Sequence, residues 1–235
     1  MRAAVIIPAA GRGLRMGKNI NKQYLPLSGK PLLAHTLCAC IDSQFFSAIV
    51  VVVTPGEEEL FRRDVLLPWL PQDKITIVTG GKERQDSVYN GLRALSAETD
   101  LVCIHDGARP LVRTSLFGSC LCMAEQHGAA ITAVPVKDTI KIVADNQVMS
   151  TPPRETLWAV QTPQAFRFNL LLSVYRRALS ENYYATDDAA LLEHYGYTVR
   201  VVPGDYENIK VTTAEDLVVA ETLLRGRQHA DRDRL

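Results

Sequence analysis

The sequence predicts an α/β fold: a mostly parallel, twisted sheet flanked by helices, with a β-hairpin arm protruding from it. Three observations lead there. Apolar, β-branched runs alternate with helical periodicity along most of the 235 residues, the pattern of strands joined by crossover helices. The run over 48–54 is continuously apolar, as a strand buried on both faces must be. The alternation then breaks once, over about 137–160, where short strand-like pieces flank a turn with no helix between them. The whole pattern is Rossmann-like.

In chain order, a first strand over 3–7 leads into a long loop and a helix over 31–42. Strands follow at 48–54, 75–78, 101–105 and 131–136, separated by helical segments near 57–66, 86–95 and 114–126. In the arm, strand-like pieces at 139–143 and 157–160 flank Asp145-Asn146-Gln147, whose residue types favour a turn. A lone hairpin is marginally stable in water, so the arm is expected to pack on something. A partner subunit is the economical choice, and its own domain is the alternative. Residues 226–235 are polar and expected to fray. The expected organisation is a single domain over 1–225 that includes the arm, followed by this C-terminal tail.

Composition narrows the function. Twenty-six basic residues balance 26 acidic ones, so no global field draws the chain to nucleic acid or to an acidic membrane surface. A polyanion must then be bound locally, as a small charged molecule would be. No apolar run approaches the length of a membrane span, and residues 1–8 lack the regions of a signal peptide. The five cysteines include Cys38 with Cys40 and Cys120 with Cys122, each pair two apart on a helical stretch. Such residues point to different sides, and no second cluster completes a zinc pattern. They read as reduced core thiols, in keeping with a cytoplasmic location.

In an open parallel sheet, ligands bind outside the carboxyl ends of the strands. The first strand ends in Pro8-Ala9-Ala10-Gly11-Arg12-Gly13-Leu14-Arg15, and Lys22-Gln23-Tyr24-Leu25-Pro26-Leu27 follows shortly after. Small residues let a backbone approach a ligand, and successive amides can form an anion-binding concavity. Arg15 and Lys22 can place two positive charges over a polyphosphate. The loop matches neither the Walker pattern nor the dinucleotide fingerprint. Alone it could be a plain strand-to-helix connection; with Arg15, Lys22 and the Lys-Gln-Tyr-Leu-Pro-Leu run it reads as a phosphate cradle.

Asp106 follows the apolar strand and can hold magnesium, which favours one or two carboxylates plus substrate phosphates. It can equally stabilise the turn at Gly107. His105 is as readily a packed, hydrogen-bonded histidine as a functional one and is left out of the site. Asp86-Ser87 can cap a helix and still face a ligand. Thr186-Asp187-Asp188 precedes Ala189-Ala190-Leu191-Leu192 and reads as a helix start with a threonine cap.

These segments together resemble the signature of nucleotidyltransferases that build nucleoside-diphosphate sugars and alcohols. The Pro-Ala-Ala-Gly opening resembles the 2-C-methyl-D-erythritol 4-phosphate cytidylyltransferase family in particular. Gly80-Gly81-Lys82-Glu83-Arg84-Gln85-Asp86-Ser87-Val88, His105-Asp106-Gly107-Ala108-Arg109-Pro110, Gln161-Thr162-Pro163-Gln164, Thr186-Asp187-Asp188 and Asn208-Ile209-Lys210 agree in order, over 8–216. The resemblance implies cytidylyl transfer from CTP to a small sugar-alcohol phosphate in isoprenoid precursor biosynthesis. It also implies magnesium or another divalent cation, and a homodimer formed through the arm. The compartment it implies is the cytoplasm, or a plastid stroma after removal of a transit peptide.

By resemblance, Arg15, Lys22 and Lys210 are catalytic, and Ala9, Ala10, Gly11, Gly13, Gly80, Gly81, Lys82 and Ser87 bind the nucleotide. Lys82 departs from the family pattern, where an acidic residue is common. Asp106, Arg109, Thr139, Arg154, Thr162 and Thr186 are expected to bind the acceptor, with Thr139 and Arg154 reaching across from the neighbouring subunit. The alternatives are a ribitol-5-phosphate cytidylyltransferase and a non-catalytic nucleotide-binding regulatory module. A glycosyltransferase is disfavoured because Asp106-Gly107-Ala108 supplies one carboxylate of the Asp-x-Asp motif such enzymes usually need.

Overall fold

The computed structural model describes residues 1–11 and 21–232. Strand β1 (Ala3–Ala9) opens the chain, and a small antiparallel pair, β2 (Pro26–Leu27) with β3 (Lys30–Pro31), leads into α1 (Leu32–Asp42). β4 (Phe46–Val53) is followed by α2 (Glu58–Phe61), one π-helical stretch (Arg62–Leu66) and α3 (Leu67–Trp69). Next come β5 (Ile75–Thr79), α4 (Arg84–Arg93), β6 (Leu101–Ile104), α5 (Thr114–His127) and β7 (Ala129–Pro135). The chain continues through β8 (Ile142–Ala144), β9 (Gln147–Ser150), β10 (Trp158–Arg167), α6 (Phe168–Ser180), α7 (Asp188–His194), β11 (Arg200–Pro203) and α8 (Ala214–Arg232).

Seven strands form one sheet in the order β11-β7-β10-β6-β1-β4-β5. β1 pairs parallel with β4 and β6, β4 with β5, and β7 with β11. β10 runs antiparallel between β6 and β7. The expected mostly parallel α/β sheet is therefore present.

Side-chain alternation along β1 explains why both faces carry helices. Val5 and Ile7 pack with Leu33 and Leu37 of α1 and Phe117 and Cys120 of α5. Ile6, between them, points the other way, into a core with Val88 and Leu92 of α4 and Leu171 and Tyr175 of α6. Each large side chain fully buried in this way contributes about 1.5–3 kcal/mol. A third cluster, around Leu25, Leu27, Leu32, Leu111, Val211 and Ala220, docks α8 beside the β2–β3 pair. Cys40, Cys103 and Cys120 are core residues, Cys38 is half-buried and Cys122 is exposed. No helix among the described residues is long and apolar enough to cross a membrane.

Two expectations change. The arm hairpin pairs β8 with β9 across Asp145 and Asn146, both at positive φ, as a tight hairpin turn requires. The run over 157–160, expected as the arm's second strand, instead enters β10, where Trp158 to Gln161 pair with β7. At the other end of the chain, α8 continues to Arg232, past Arg225 where a frayed tail was expected. Arg227 helps to anchor it, donating to Glu207 and to the Leu111 carbonyl.

Candidate active site

The carboxyl ends of β1, β4, β5 and β6 open onto a cavity of about 820 Å³, and a second of about 440 Å³ adjoins it beside β10 and α7. The order of the strands brings four loops to this edge. At the first, Asn21 donates from Nδ2 to the Ala9 carbonyl (3.4 Å), Thr54 Oγ1 (3.4 Å) and Glu57 Oε2 (3.3 Å). It thereby ties the ends of β1 and β4 to the 3-10 turn Lys22–Tyr24 that it caps. Ala10, Gly11 and Lys22 line the larger cavity. Ala9 is buried behind them. Gly13 and Arg15 lie outside the described residues.

The loop after β5 comes close to its neighbours. A Cβ on Gly80 would sit 2.5 Å from Ala10 Cβ, and one on Gly81 would sit 2.3 Å from Asp86 Cβ. Glycine is required here by space. The Ser87 hydroxyl accepts from Gly81 N–H (3.0 Å) and donates to the Glu83 carbonyl (3.1 Å), which fixes the loop over the cavity. The cap of α4 is not Asp86-Ser87: the helix begins at Arg84, and Asp86 accepts from Glu83 N–H (3.0 Å) as the acid of a capping box. Gly80, Gly81, Lys82 and Ser87 all line the larger cavity.

Asp106 stands where the two cavities meet. Lys210 Nζ is 2.8 Å from Oδ2, Arg109 Nε is 3.6 Å from Oδ2, and Arg84 Nη2 is 3.8 Å from Oδ1. Burial pushes this carboxyl up, but Lys210, Arg84 and Arg109 outweigh it and hold the group well below the usual carboxylate range. It is therefore a permanent anion among cations. Its backbone N–H donates to the Thr162 hydroxyl (2.9 Å), which also lies 3.0 Å from His105 Nδ1. His105 is fully buried, edge-on to Phe117, and burial lowers its pKa to about 4. It is a neutral packing residue.

The segment carrying Lys210 is sewn to the Asp106 loop by buried polar groups. Arg109 donates to the Asn208 carbonyl (2.7 Å), Asn208 Nδ2 donates to the Thr162 carbonyl (2.8 Å), and Val211 N–H donates to the Ala108 carbonyl (2.8 Å). Arg109, Thr162 and Thr186 line the smaller cavity, while Arg84, Asp106 and Lys210 line both. The helix start near Thr186 is capped by Asp187, whose side chain accepts from Ala190 N–H. The expected threonine cap is thus corrected by one residue. Thr139 and Arg154 line neither cavity; both are exposed, and Arg154 donates to the Lys137 carbonyl (3.0 Å).

Sequence reasoning quoted Arg84 and Asp188 within matched motifs but gave neither a place in the site. They pair at 2.6 Å across 104 positions, and no local spacing announces a pair so distant. The described side chains on the larger cavity include four cations (Lys22, Lys82, Arg84, Lys210) and two acids (Glu83, Asp106). The excess positive charge suits a polyphosphate.

The family model described as IspD, 2-C-methyl-D-erythritol 4-phosphate cytidylyltransferase, matches residues 3–226. The chain belongs to this family. A curated relative of that name from Pelotomaculum thermopropionicum is 49% identical over 228 residues, covering 97% of this chain and 96% of the relative. Another of the same name, from Alkaliphilus oremlandii, is 46% identical over 228 residues and 97% of each chain. Among solved structures, 4-diphosphocytidyl-2C-methyl-D-erythritol synthase from Anaerococcus prevotii superposes with a TM-score of 0.84 at 34% identity, covering 95% of this chain and 96% of that one. The family's name describes a nucleotidyl transfer, and a charged junction between two cavities is the geometry such a transfer needs.

Proposed function

We propose that this chain transfers a cytidylyl group from CTP to 2-C-methyl-D-erythritol 4-phosphate. The products are 4-diphosphocytidyl-2-C-methyl-D-erythritol and pyrophosphate, in isoprenoid precursor biosynthesis. The observation that supports this best is the junction itself, where two adjoining cavities share Arg84, Asp106 and Lys210. One cavity suits the nucleotide and the other the acceptor, so the acceptor phosphate meets the α-phosphate at the shared wall. Family membership over residues 3–226 supports this acceptor over ribitol 5-phosphate.

The reaction is in-line attack by a phosphate oxygen of the acceptor on the α-phosphorus of CTP. The new P–O bond forms as the bond to pyrophosphate breaks, and the leaving group keeps the electron pair. The nucleophile is already an anion and needs no general base, in keeping with a buried, neutral His105. The barrier is electrostatic, so positioning and fixed positive charge dominate. Lys22 supports the triphosphate, Lys210 draws the two phosphates together, and Asp106 orients Lys210.

The site fits magnesium. Asp106 is held ionised, and its Oδ1 has Arg84 no nearer than 3.8 Å. Among the described residues no group of three or more His, Cys, Asp or Glu side chains could form a cage. One carboxylate completed by substrate phosphates is a usual magnesium arrangement. Bound there by Asp106, the ion would neutralise phosphate charge and orient the triphosphate.

The arm supports a homodimer: Ile142, Val143, Val148 and Met149 are all more than half exposed in the protomer. Apolar side chains on a bare hairpin call for a covering surface. A second copy would bring Thr139 and Arg154 to its neighbour's acceptor. The balanced charge favours small-molecule substrates over nucleic acid or membranes, and the free core thiols Cys40, Cys103 and Cys120 favour a cytoplasmic setting.

The test follows pyrophosphate release with magnesium, CTP and 2-C-methyl-D-erythritol 4-phosphate. Parallel reactions substitute ATP, GTP or UTP, replace the acceptor by ribitol 5-phosphate, or add a chelator. Release that needs all three components is the expected result. Release with ribitol 5-phosphate alone would move the acceptor assignment, and no release from folded, CTP-binding protein would favour a regulatory module.

A further inference from the structure

Arg84 occupies an unusual place for a helix residue. It is the first residue of α4, yet its side chain crosses to α7 and stands on the wall between the two cavities. There Nη2 donates to Asp188 Oδ2 at 2.6 Å. Asp188 is fully buried, and its other oxygen accepts from the Tyr175 hydroxyl, on a side chain that is itself buried. With both oxygens engaged from different elements, this carboxylate cannot turn. It holds one edge of the guanidinium and leaves the rest of a five-donor fork facing the junction. Asp106 Oδ1, at 3.8 Å, is too far to take a second hydrogen bond.

The smaller cavity is lined by three cations, Arg84, Arg109 and Lys210, and by three acids, Asp106, Asp187 and Glu193. Arg109 is 8% exposed, donates from Nη1 to the Asn208 carbonyl, and holds its Nε 3.6 Å from Asp106, so it is too buried to reach far into the cavity. The side chains of Arg84 and Lys210 are 33% and 42% exposed. A phosphate monoester carries up to two negative charges and is best matched by two accessible cations, one of them a planar fork.

We propose that Arg84 binds the phosphate of the acceptor, with Asp188 and Tyr175 as positioning residues that aim its guanidinium at the junction. This rests on the cytidylyl transfer proposed above. A purely structural Arg84–Asp188 bridge would tie α4 to α7 equally well with its cation turned away from both cavities. Here the anchor is fully buried and the cation is one-third exposed on the wall of both cavities.

The experiment measures steady-state pyrophosphate release with each substrate varied in turn, for the wild-type protein and for Arg84→Gln, Arg84→Lys, Asp188→Asn and Tyr175→Phe. Loss of a charge-assisted contact predicts that Arg84→Gln raises the acceptor KM about 10- to 100-fold and the CTP KM, because Arg84 also lines the larger cavity, by a clearly smaller factor of about two to three. Arg84→Lys keeps the charge without the fork and should recover part of that loss. Asp188→Asn should shift the same constant in the same direction by less, and Tyr175→Phe by least. Equal changes in both KM values, or an unchanged acceptor KM, would overturn the proposal. Should Asp188→Asn fail to fold, Tyr175→Phe removes a single oxygen and reads the same positioning effect. Wild-type protein without turnover would sink the reaction, and this inference with it. Turnover in the wild type with no acceptor-specific loss in Arg84→Gln would sink the inference alone.

Discussion

Asp106 and Arg154 were both expected to bind the acceptor, yet the chain prepares them in different ways. Asp106 is buried at the end of β6, with Lys210, Arg109 and Arg84 drawn to it from three other positions in the sequence. Its neighbours Thr162 and Asn208 hold those segments together through buried hydrogen bonds. Arg154 lies on an exposed stretch beyond the hairpin, where it donates to the Lys137 carbonyl. The junction is a finished object within one protomer; the arm is not. A charge that must bind phosphate in a fixed place needs neighbours that fix it, and for Arg154 the proposed partner subunit would have to provide them.

The largest expected effect lies on the finished side. Lys22→Ala should lower turnover about 100- to 1,000-fold, by analogy with other groups that stabilise transition-state charge. Its far-ultraviolet dichroism and melting temperature should stay close to wild type, since the side chain lines a cavity. Near-normal turnover would remove Lys22 from the chemistry.

The arm comes next. Val148 and Met149 are 61% and 64% exposed, so Val148→Asp with Met149→Asp should leave the protomer folded. The double variant is expected to sediment as a monomer and to lose about tenfold or more in activity, as the loss of a charge contact from the partner would predict. A wild-type protein that is itself monomeric at assay concentration, and fully active, would break the comparison.

Arg154→Ala tests one side chain of the arm. It should raise the acceptor KM about tenfold and leave the CTP KM unchanged. If the CTP constant moved instead, Arg154 would belong to the nucleotide side. The smallest effect is expected at Lys82, which lines the larger cavity but is exposed. Lys82→Ala should change the CTP KM by less than about threefold, because an exposed charge is screened by water and salt. A larger loss would mean that this lysine makes a direct contact with the nucleotide.

Much of this was legible in the residues. The strands at 48–54 and 101–105 stood out because a parallel strand covered on both faces must be apolar throughout. Lys22, Gly80, Gly81 and Asp106 stood out because each sits in or near a loop that follows a strand, where an open sheet binds its ligands, whereas Lys210 came only through the resemblance of its motif. Other features resisted. The run over 157–160 is equally good strand material for the arm or the sheet. It joins the sheet as the start of β10, against β7. The cap of α7 is Asp187, one residue past the expected Thr186, and that of α4 is Glu83, three residues before Asp86, which caps from inside the first turn instead; several neighbouring side chains at each place can cap.

The sequence by itself determined the layered α/β architecture, the edge of the sheet where the site lies and the family. Each follows from local patterns: burial periodicity, small residues after strands, and ordered motifs. The tertiary structure alone decided that β8 pairs with β9, that α8 stays helical past Arg225, and that Arg84 is held by Asp188 from 104 positions away. Pairing over such a distance depends on how α4 and α7 pack around the sheet, and a buried carboxylate acquires its partner only when the core closes around it.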